Sequence, residues 1–167
     1  MQIASKATLS TSIIRRNFTL HKASQFFCIG SCFARNIEEH LIYRDVSVLS
    51  KSIICPKKEW RFRHSGITNK YTTASILNEF EWLAGCDWPT QSLFETANGW
   101  LDLQLASGQR PVTRERAIER RRYLISNYFN QIKTAVVLIL TLGLIESWYD
   151  TAVAAISKCG TATLAEQ

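Results

Sequence analysis

The sequence predicts an α/β protein built on a parallel sheet, and three observations support this prediction. The segment "QFFCIG", which ends at Gly30, is short and apolar, as is typical of a buried strand. A stretch with helical spacing begins at Ser31. A second apolar run, "AVVLILTLGLI", follows a long helical segment and begins at Ala135. This order of strand, helix, helix and strand predicts parallel strands that are buried on both faces.

The first helix is predicted directly after the first strand. Its apolar residues recur at i, i+4 and i+8 and therefore share one face: Phe33, Ile37 and Leu41. Three charged residues fall on another face: Arg35, Glu38 and Glu39. The pattern predicts an amphipathic helix whose apolar face packs on the sheet.

A short strand and a second helix follow. "VSVL" is predicted as the strand, and "CPKKEWRFRHSGITN" reads as a loop. In "YTTASILNEFEWLAG", Thr72 or Thr73 should cap a helix that Gly85 ends. We expect its buried face to consist of Ile76, Leu77, Phe80 and Leu83.

The region after the second helix is irregular and contains a candidate hairpin, within "CDWPTQSLFETANGWLDLQLASGQRP". A third helix is predicted from about Thr113 to Ile132. Its apolar face should comprise Ile118, Ile125, Tyr128, Phe129 and Ile132. We expect its arginines to form a solvated face: Arg114, Arg120, Arg121 and Arg122.

Composition restricts the possible functions. The 167 residues suit one domain, and the formal charge of +6 permits an anionic partner without requiring one. The arginine run lacks interleaved exposed aromatics, so nucleic-acid binding is not expected. The longest apolar run is far shorter than the roughly 20 residues of a membrane-spanning helix. The five cysteines are scattered without a CxxC pair, which favours reduced thiols, a cytoplasmic location and no metal site.

Ser31 is the candidate functional residue of the first turn. It follows a strand and begins a helix, where the first amides lack intrahelical partners and can bind an anion. Ser31 could instead serve only as the N-cap, and Cys32 is an alternative nucleophile because a helix N-terminus activates a thiol. The second apolar strand ends in a turn at Gly143. If the two strands are neighbours, Ser31 and Gly143 face one crevice.

Three ordered blocks, "IGSCFARNIEEHL", "NKYTTASILNEFEWL" and "VVLILTLGLIESWYD", resemble the GSCFA family, a branch of the SGNH (GDSL-type) hydrolases. The resemblance covers roughly residues 24–150. It implies an SGNH-like three-layer α/β/α fold in which Ser31 attacks an ester or acyl carbonyl, without a cofactor. Gly30 would allow close approach, and the amide of Ser31 or Cys32 would stabilise the oxyanion. The implied substrate is a small-molecule ester or an acylated carbohydrate.

The chain departs from the SGNH pattern at the oxyanion site. Gly143 resembles the glycine of the Gly-x-Asn-Asp block, but Ile145 stands where that block has its asparagine. Either Asn69 replaces this donor or the oxyanion site is weaker. Glu146 is a further candidate as a buried acid near the site.

The catalytic base is a second departure. SGNH enzymes supply it from an Asp-x-x-His pair near the C-terminus, and this sequence has no such pair; its histidines are His21, His40 and His64. We therefore expect an N-terminal fragment that is catalytically deficient and leaves apolar strand surface exposed. The expected organisation is a lead-in at 1–24, the domain at 25–150 and a divergent tail at 151–167. The alternative is a non-catalytic module that binds an anionic or carbohydrate-like ligand.

Overall fold

The computed structural model describes residues 19–21, 23–62, 64–143, 148–150 and 155–157. Its strands are β1 (Gln25–Gly30), β2 (Ser47–Val48), β3 (Leu93–Thr96), β4 (Gly99–Asp102), β5 (Val137–Thr141), β6 (Trp148–Asp150) and β7 (Ala155–Ser157). Its α-helices are α1 (Cys32–Tyr43), α2 (Thr73–Leu83) and α3 (Arg114–Tyr123). The helical course after α3 continues as a π-helical segment, Leu124–Tyr128, and a 3-10 segment, Phe129–Thr134.

The central sheet confirms the predicted α/β class. Its three strands are ordered β2-β1-β5 and all run parallel. The register pairs Phe26 with Val137 and continues to Gly30 opposite Thr141. The predicted adjacency of the two apolar strands is therefore confirmed, as are the short strand in "VSVL" and the hairpin, which is β3–β4.

The main core lies between β1 and the helical segments that follow α3. Phe27 and Ile29 of β1 are fully buried in this core together with Tyr128 and Phe129. The rings of Phe27 and Tyr128 are 5.3 Å apart between centroids and tilted against each other. The apolar β1 sequence and the aromatic pair after α3 thus supply the packing that holds β1 at the centre of the sheet.

The expectation that the second apolar strand is buried on both faces is wrong for β5. Every second residue along this segment is exposed: Val136, Leu138, Leu140 and Leu142. In the sheet of the described residues β5 is an edge strand, and the core packs beneath β1 rather than beneath these side chains. The expectation that apolar strand surface is left exposed is confirmed.

The buried face of α1 also differs from the prediction. Ala34, Arg35 and Glu38 are buried, whereas Phe33 is exposed. The reason is that Arg35 and Glu38 find polar partners at this interface. Arg35 donates to the Cys28 carbonyl at 2.9 Å and forms an ion pair with Glu38.

For α2, the predicted N-cap is confirmed, whereas the predicted buried face is partly wrong. Thr72 forms a capping box with Ser75, and Gly85 follows the helix with a φ of +103°. Ile76 is buried as predicted, but Leu77 is exposed and Glu79 and Trp82 are buried. Glu79 can be buried because cations from other segments surround it.

The solvated arginine face predicted for α3 is wrong at two positions. Arg120 and Arg121 are buried. Arg120 pairs with Glu59 and donates to Gln109, and Arg121 pairs with Glu79 and with Asp102. Carboxylates from distant parts of the chain therefore draw this side of the helix inward. Within the described part of the chain, no helix combines the length and apolar character needed to cross a membrane.

Candidate active site

Ser31 stands between the end of β1 and the start of α1. Its hydroxyl caps α1 by accepting a hydrogen bond from the Phe33 N–H at 3.3 Å. Its own N–H donates to both the carbonyl and the hydroxyl of Thr141, at 3.2 and 3.1 Å. The Ser31 and Thr141 hydroxyl oxygens are 3.3 Å apart. The turn after β1 is thus tied directly to the end of β5.

Two glycines allow this close approach. Gly30 has a φ of +146°, and a Cβ placed there would be 2.1 Å from the Thr141 carbonyl oxygen. A Cβ on Gly143 would be 3.0 Å from the Ser31 Cβ and 3.5 Å from its hydroxyl oxygen. A side chain at Gly30 would break the contact between the strands, and one at Gly143 would crowd the serine. Ser31 and Gly143 therefore lie at the same edge of the sheet, as predicted.

A third segment, residues 69–71, joins the same edge. The Lys70 N–H donates to the Gly30 carbonyl at 2.7 Å, and the Gly143 N–H donates to the Tyr71 carbonyl at 3.0 Å. Asn69 precedes these two contacts and is buried, and its side-chain Oδ1 has no hydrogen-bond partner among the residues that the structure describes. The main chain of residues 70 and 71 therefore lies against the strand ends, and the predicted donor Asn69 is the residue before it.

The amides at this turn are not equivalent. The Ser31 N–H is occupied by Thr141, so it is not available as the oxyanion donor that the sequence suggested. The Cys32 N–H has no hydrogen-bond partner among the described residues, and the Cys32 side chain is exposed. Of the two predicted amide donors, only that of Cys32 is free to bind an anion.

Behind segment 69–71 lies a buried ion cluster that sequence reasoning missed: Lys70, Glu79, Asp102 and Arg121. The Lys70 ammonium donates to Glu79 and to the Gln104 carbonyl. Arg121 contacts both Glu79 oxygens at 2.8 and 2.9 Å and Asp102 at 2.6 Å. Burial lowers the pKa of Lys70, and the Glu79 carboxylate opposes this effect. One signal was available, because Glu79 falls three residues after Ile76 on the predicted apolar face of α2.

A second polar cluster lies beside β1, under α1. The Ser50 hydroxyl donates to Glu38 and accepts from the Cys28 N–H at 3.1 Å. Burial is the main cause that raises the pKa of Glu38, while Arg35 opposes it. Burial, with a smaller contribution from Glu38, raises the pKa of the Cys28 thiol to about 11. Cys28 is therefore a protonated core residue.

None of the three histidines contacts the Ser31 hydroxyl in the described structure, where its hydrogen-bond partners are Thr141 and the Phe33 amide. His21 and His40 are exposed, and His64 is half-buried in the 3-10 turn His64–Gly66. Glu146 lies outside the described residues. The structure thus assembles Ser31, Gly30, Cys32, Asn69 and Gly143 at one edge and places no histidine base beside them.

Comparison with known proteins adds a family to this geometry. The model of the GSCFA family matches residues 25–164. The chain belongs to the GSCFA family. Searches among curated proteins and among solved structures each found no match.

The residues that give the GSCFA family its name form the turn described above. Gly30 takes the positive φ, Ser31 caps α1, and Ala34 is fully buried against the sheet. Cys32 and Phe33 are exposed. Three of the five motif residues therefore have a clear structural task, and the other two present their side chains to solvent beside the serine.

Proposed function

We propose that this GSCFA chain carries the nucleophile and oxyanion site of an SGNH-like serine hydrolase that acts on a small-molecule ester or an acylated carbohydrate. The observation that supports the proposal is the meeting of Ser31, Gly143 and segment 69–71 at the carboxyl ends of two adjacent parallel strands. Ligands of open α/β sheets bind at this edge. The Ser31 hydroxyl attacks the acyl carbon, the ester C–O bond breaks as the serine proton passes to the departing alcohol, and water then hydrolyses the acyl-serine and releases the acid.

Two groups are candidate donors for the oxyanion. The Cys32 N–H is free among the described residues, and Asn69, next in sequence to the Lys70 amide that binds Gly30, has a buried side-chain oxygen without a hydrogen-bond partner among them. Rotation of the Asn69 amide by half a turn exchanges its NH₂ and oxygen positions without changing its shape. A well-placed donor of this kind contributes about 3 kcal/mol to the stability of the transition state.

The hydroxyl proton has no strong acceptor in the described site. Thr141 offers only another hydroxyl at 3.3 Å, and no histidine contacts Ser31. Oxyanion donors and substrate binding without a base retain roughly 10³- to 10⁴-fold acceleration over water. We therefore propose that the 167-residue chain hydrolyses esters slowly by itself.

A fluorophosphonate probe tests the nucleophile. The expected result is covalent labelling at Ser31, located by peptide mass spectrometry. Ser31→Ala should abolish the labelling and Cys32→Ala should retain it. Because the described site lacks a base, the labelling should be slow; labelling that survives Ser31→Ala, or a chain that stays unlabelled after prolonged incubation at high probe concentration, would refute the assignment.

A second function is favoured by one observation. Ser31 is buried and its hydroxyl is already used as a cap, as expected for a non-catalytic module that binds an anionic or carbohydrate-like ligand in the crevice. This alternative predicts that a panel of acidic and acetylated sugars raises the melting temperature equally in the native chain and in Ser31→Ala. Loss of the shift in Ser31→Ala would contradict it.

A cytoplasmic location is part of the proposal. Its support is that the four described cysteines, Cys28, Cys32, Cys55 and Cys86, are free thiols. Cell fractionation followed by thiol trapping would test it, and recovery of the protein with oxidised cysteines in an exported fraction would contradict it.

A further inference from the structure

The buried ion cluster is connected to the candidate active site through one residue. Lys70 is fully buried, and its ammonium reaches Glu79 on α2 and the Gln104 carbonyl after β4. Arg121 on α3 completes the cluster by bridging Glu79 and Asp102. Three elements that are separate in sequence therefore meet at the end of the Lys70 side chain.

The main chain of Lys70 faces the opposite way, toward the serine. Its N–H binds the Gly30 carbonyl at 2.7 Å, one residue before Ser31. The next residue, Tyr71, accepts from the Gly143 N–H at 3.0 Å. The same short segment is thus held by the ion cluster on one side and by both strand ends on the other.

We propose that Lys70 is a positioning residue, which fixes segment 69–71 against the Ser31 turn by anchoring it in the cluster of Glu79, Arg121 and Asp102. The catalytic consequence of this placement rests on the proposed function, because it concerns Asn69 as an oxyanion donor. The position of segment 69–71 against the Ser31 turn does not depend on whether the chain is active.

The composition of the cluster supports a role beyond stability. Two cations face two carboxylates, so the cluster is neutral, and replacement of all members of such a buried ion cluster by well-packed apolar residues often costs no stability. Ionic contacts are directional, however, and Arg121 meets Glu79 through two hydrogen bonds and Asp102 through a third. Such a network fixes the position of the lysine more narrowly than apolar packing does. Since a misplacement of about 1 Å can reduce a rate about 10²-fold, this precision bears on reactivity.

The test begins with Lys70→Met, which keeps the length and apolar stem of the side chain and removes its charge. We expect the rate of fluorophosphonate labelling at Ser31 to fall at least tenfold at a temperature where the variant is folded. We also expect faster hydrogen exchange at the amides of Lys70 and Gly143, because the bonds that they donate to the Gly30 and Tyr71 carbonyls are loosened.

Arg120→Met is the matched control. Arg120 is buried on α3 beside Arg121, but its ion pair is with Glu59, and its link to the cluster runs through Gln109, which binds the main chain of Asp102 and not its carboxylate. Arg120→Met should lower the melting temperature while leaving the rate of labelling at Ser31 and the hydrogen exchange of the Gly143 amide unchanged. An equal loss of labelling in Arg120→Met would overturn the proposal, because the effect would then follow general destabilisation.

A double variant keeps the test decisive if Lys70→Met folds poorly. Lys70→Met combined with Glu79→Gln restores neutrality, leaving Arg121 and Asp102 as a charge pair, and should recover much of the lost melting temperature. The proposal requires labelling to stay slow and exchange to stay fast in this variant. Recovery of both along with stability would overturn it.

Asn69→Ala supplies the last comparison. If Lys70 acts through Asn69, adding Lys70→Met to the Asn69→Ala variant should slow labelling by less than twofold. A further tenfold loss in the double variant would show that Lys70 does not act through Asn69. If the native chain is not labelled at Ser31, the proposed function fails. Amide exchange at Gly143 then still decides whether the cluster holds the segment, so the two failures are distinguishable.

Discussion

Strands β1 and β5 are adjacent and apolar, yet they are buried very differently. Phe27 and Ile29 of β1 are 0% and 1% exposed, whereas their register partners Leu138 and Leu140 of β5 are 39% and 52% exposed. Partners in a parallel pair stand side by side on the same face of the sheet. The difference therefore arises from what packs on that face, since the aromatic residues after α3 cover β1 and stop short of β5.

The largest effect on stability is expected at Phe27, the buried member of the register pair Phe27–Leu138. Phe27→Ala should lower the free energy of unfolding by about 3–5 kcal/mol, because it removes a fully buried ring from the aromatic core. Leu138→Ala, at the partner position, should cost about 1 kcal/mol because its side chain is already partly in water. Urea denaturation of both variants checks the comparison, and equal losses would show that β5 is covered in solution.

Stability should be nearly as sensitive to a substitution at Gly30, where the end of β1 meets the end of β5. Gly30→Ala should cost about 3 kcal/mol or more, since the new Cβ would meet the Thr141 carbonyl in a backbone conformation that alanine disfavours. Gly85→Ala is the control, because Gly85 also has a positive φ but has no atom within 4 Å of the added Cβ. We expect about 1 kcal/mol there. If thermal unfolding gives the same loss for both, the β1–β5 contact is not as close as described.

The α1 side of β1 should respond to pH. Burial raises the pKa of Glu38 in the folded state, so the folded protein holds this proton more tightly than the unfolded chain does. The stability that this group contributes is complete below its unfolded pKa, near 4.5, and is lost as the pH rises through its folded pKa. Arg35 and Lys51 moderate the effect, and the neighbouring carboxylate of Glu39 increases it.

Glu38→Gln isolates this contribution. The stability of the native chain relative to the variant should decline as the pH rises from 4 upward, by at most about 1.4 kcal/mol for each unit by which the pKa is raised. Denaturation curves across this pH range measure the difference in stability between the native chain and Glu38→Gln. The contributions of the other carboxylates cancel in this difference because both proteins contain them. A difference that increases with pH would mean that Arg35 lowers the pKa of Glu38 below its ordinary value.

The smallest effect should come from the exposed face of β5. Leu140→Thr should change stability by no more than about 0.5 kcal/mol, because the side chain is largely in solvent and threonine suits a strand. It should also reduce self-association, since the row of exposed leucines is an apolar patch. Unfolding curves and light scattering would measure both. A loss above 1.5 kcal/mol would show that Leu140 packs against part of the chain or a second copy.

The sequence was informative wherever a structural requirement is local. The strand ending at Gly30, the cap by Thr72 and the meeting of Ser31 with Gly143 followed from short patterns and from the rule that carboxyl ends of parallel strands share an edge. The GSCFA motif, which identified the family, is also local, because its glycine, serine and alanine lie together where β1 turns into α1.

The burial of charged residues was decided by the tertiary structure. Apolar periodicity placed Arg35, Glu38, Arg120 and Arg121 away from the core, yet all four are buried. A buried charge is stable only with a partner, and the partners lie far along the chain: Arg121 is 42 residues from Glu79 and 19 from Asp102. A pattern within one helix carries no information about a carboxylate on another. The sequence by itself therefore determined the family, the strands of the parallel sheet and the serine turn, while only the tertiary structure determined the ion cluster behind segment 69–71.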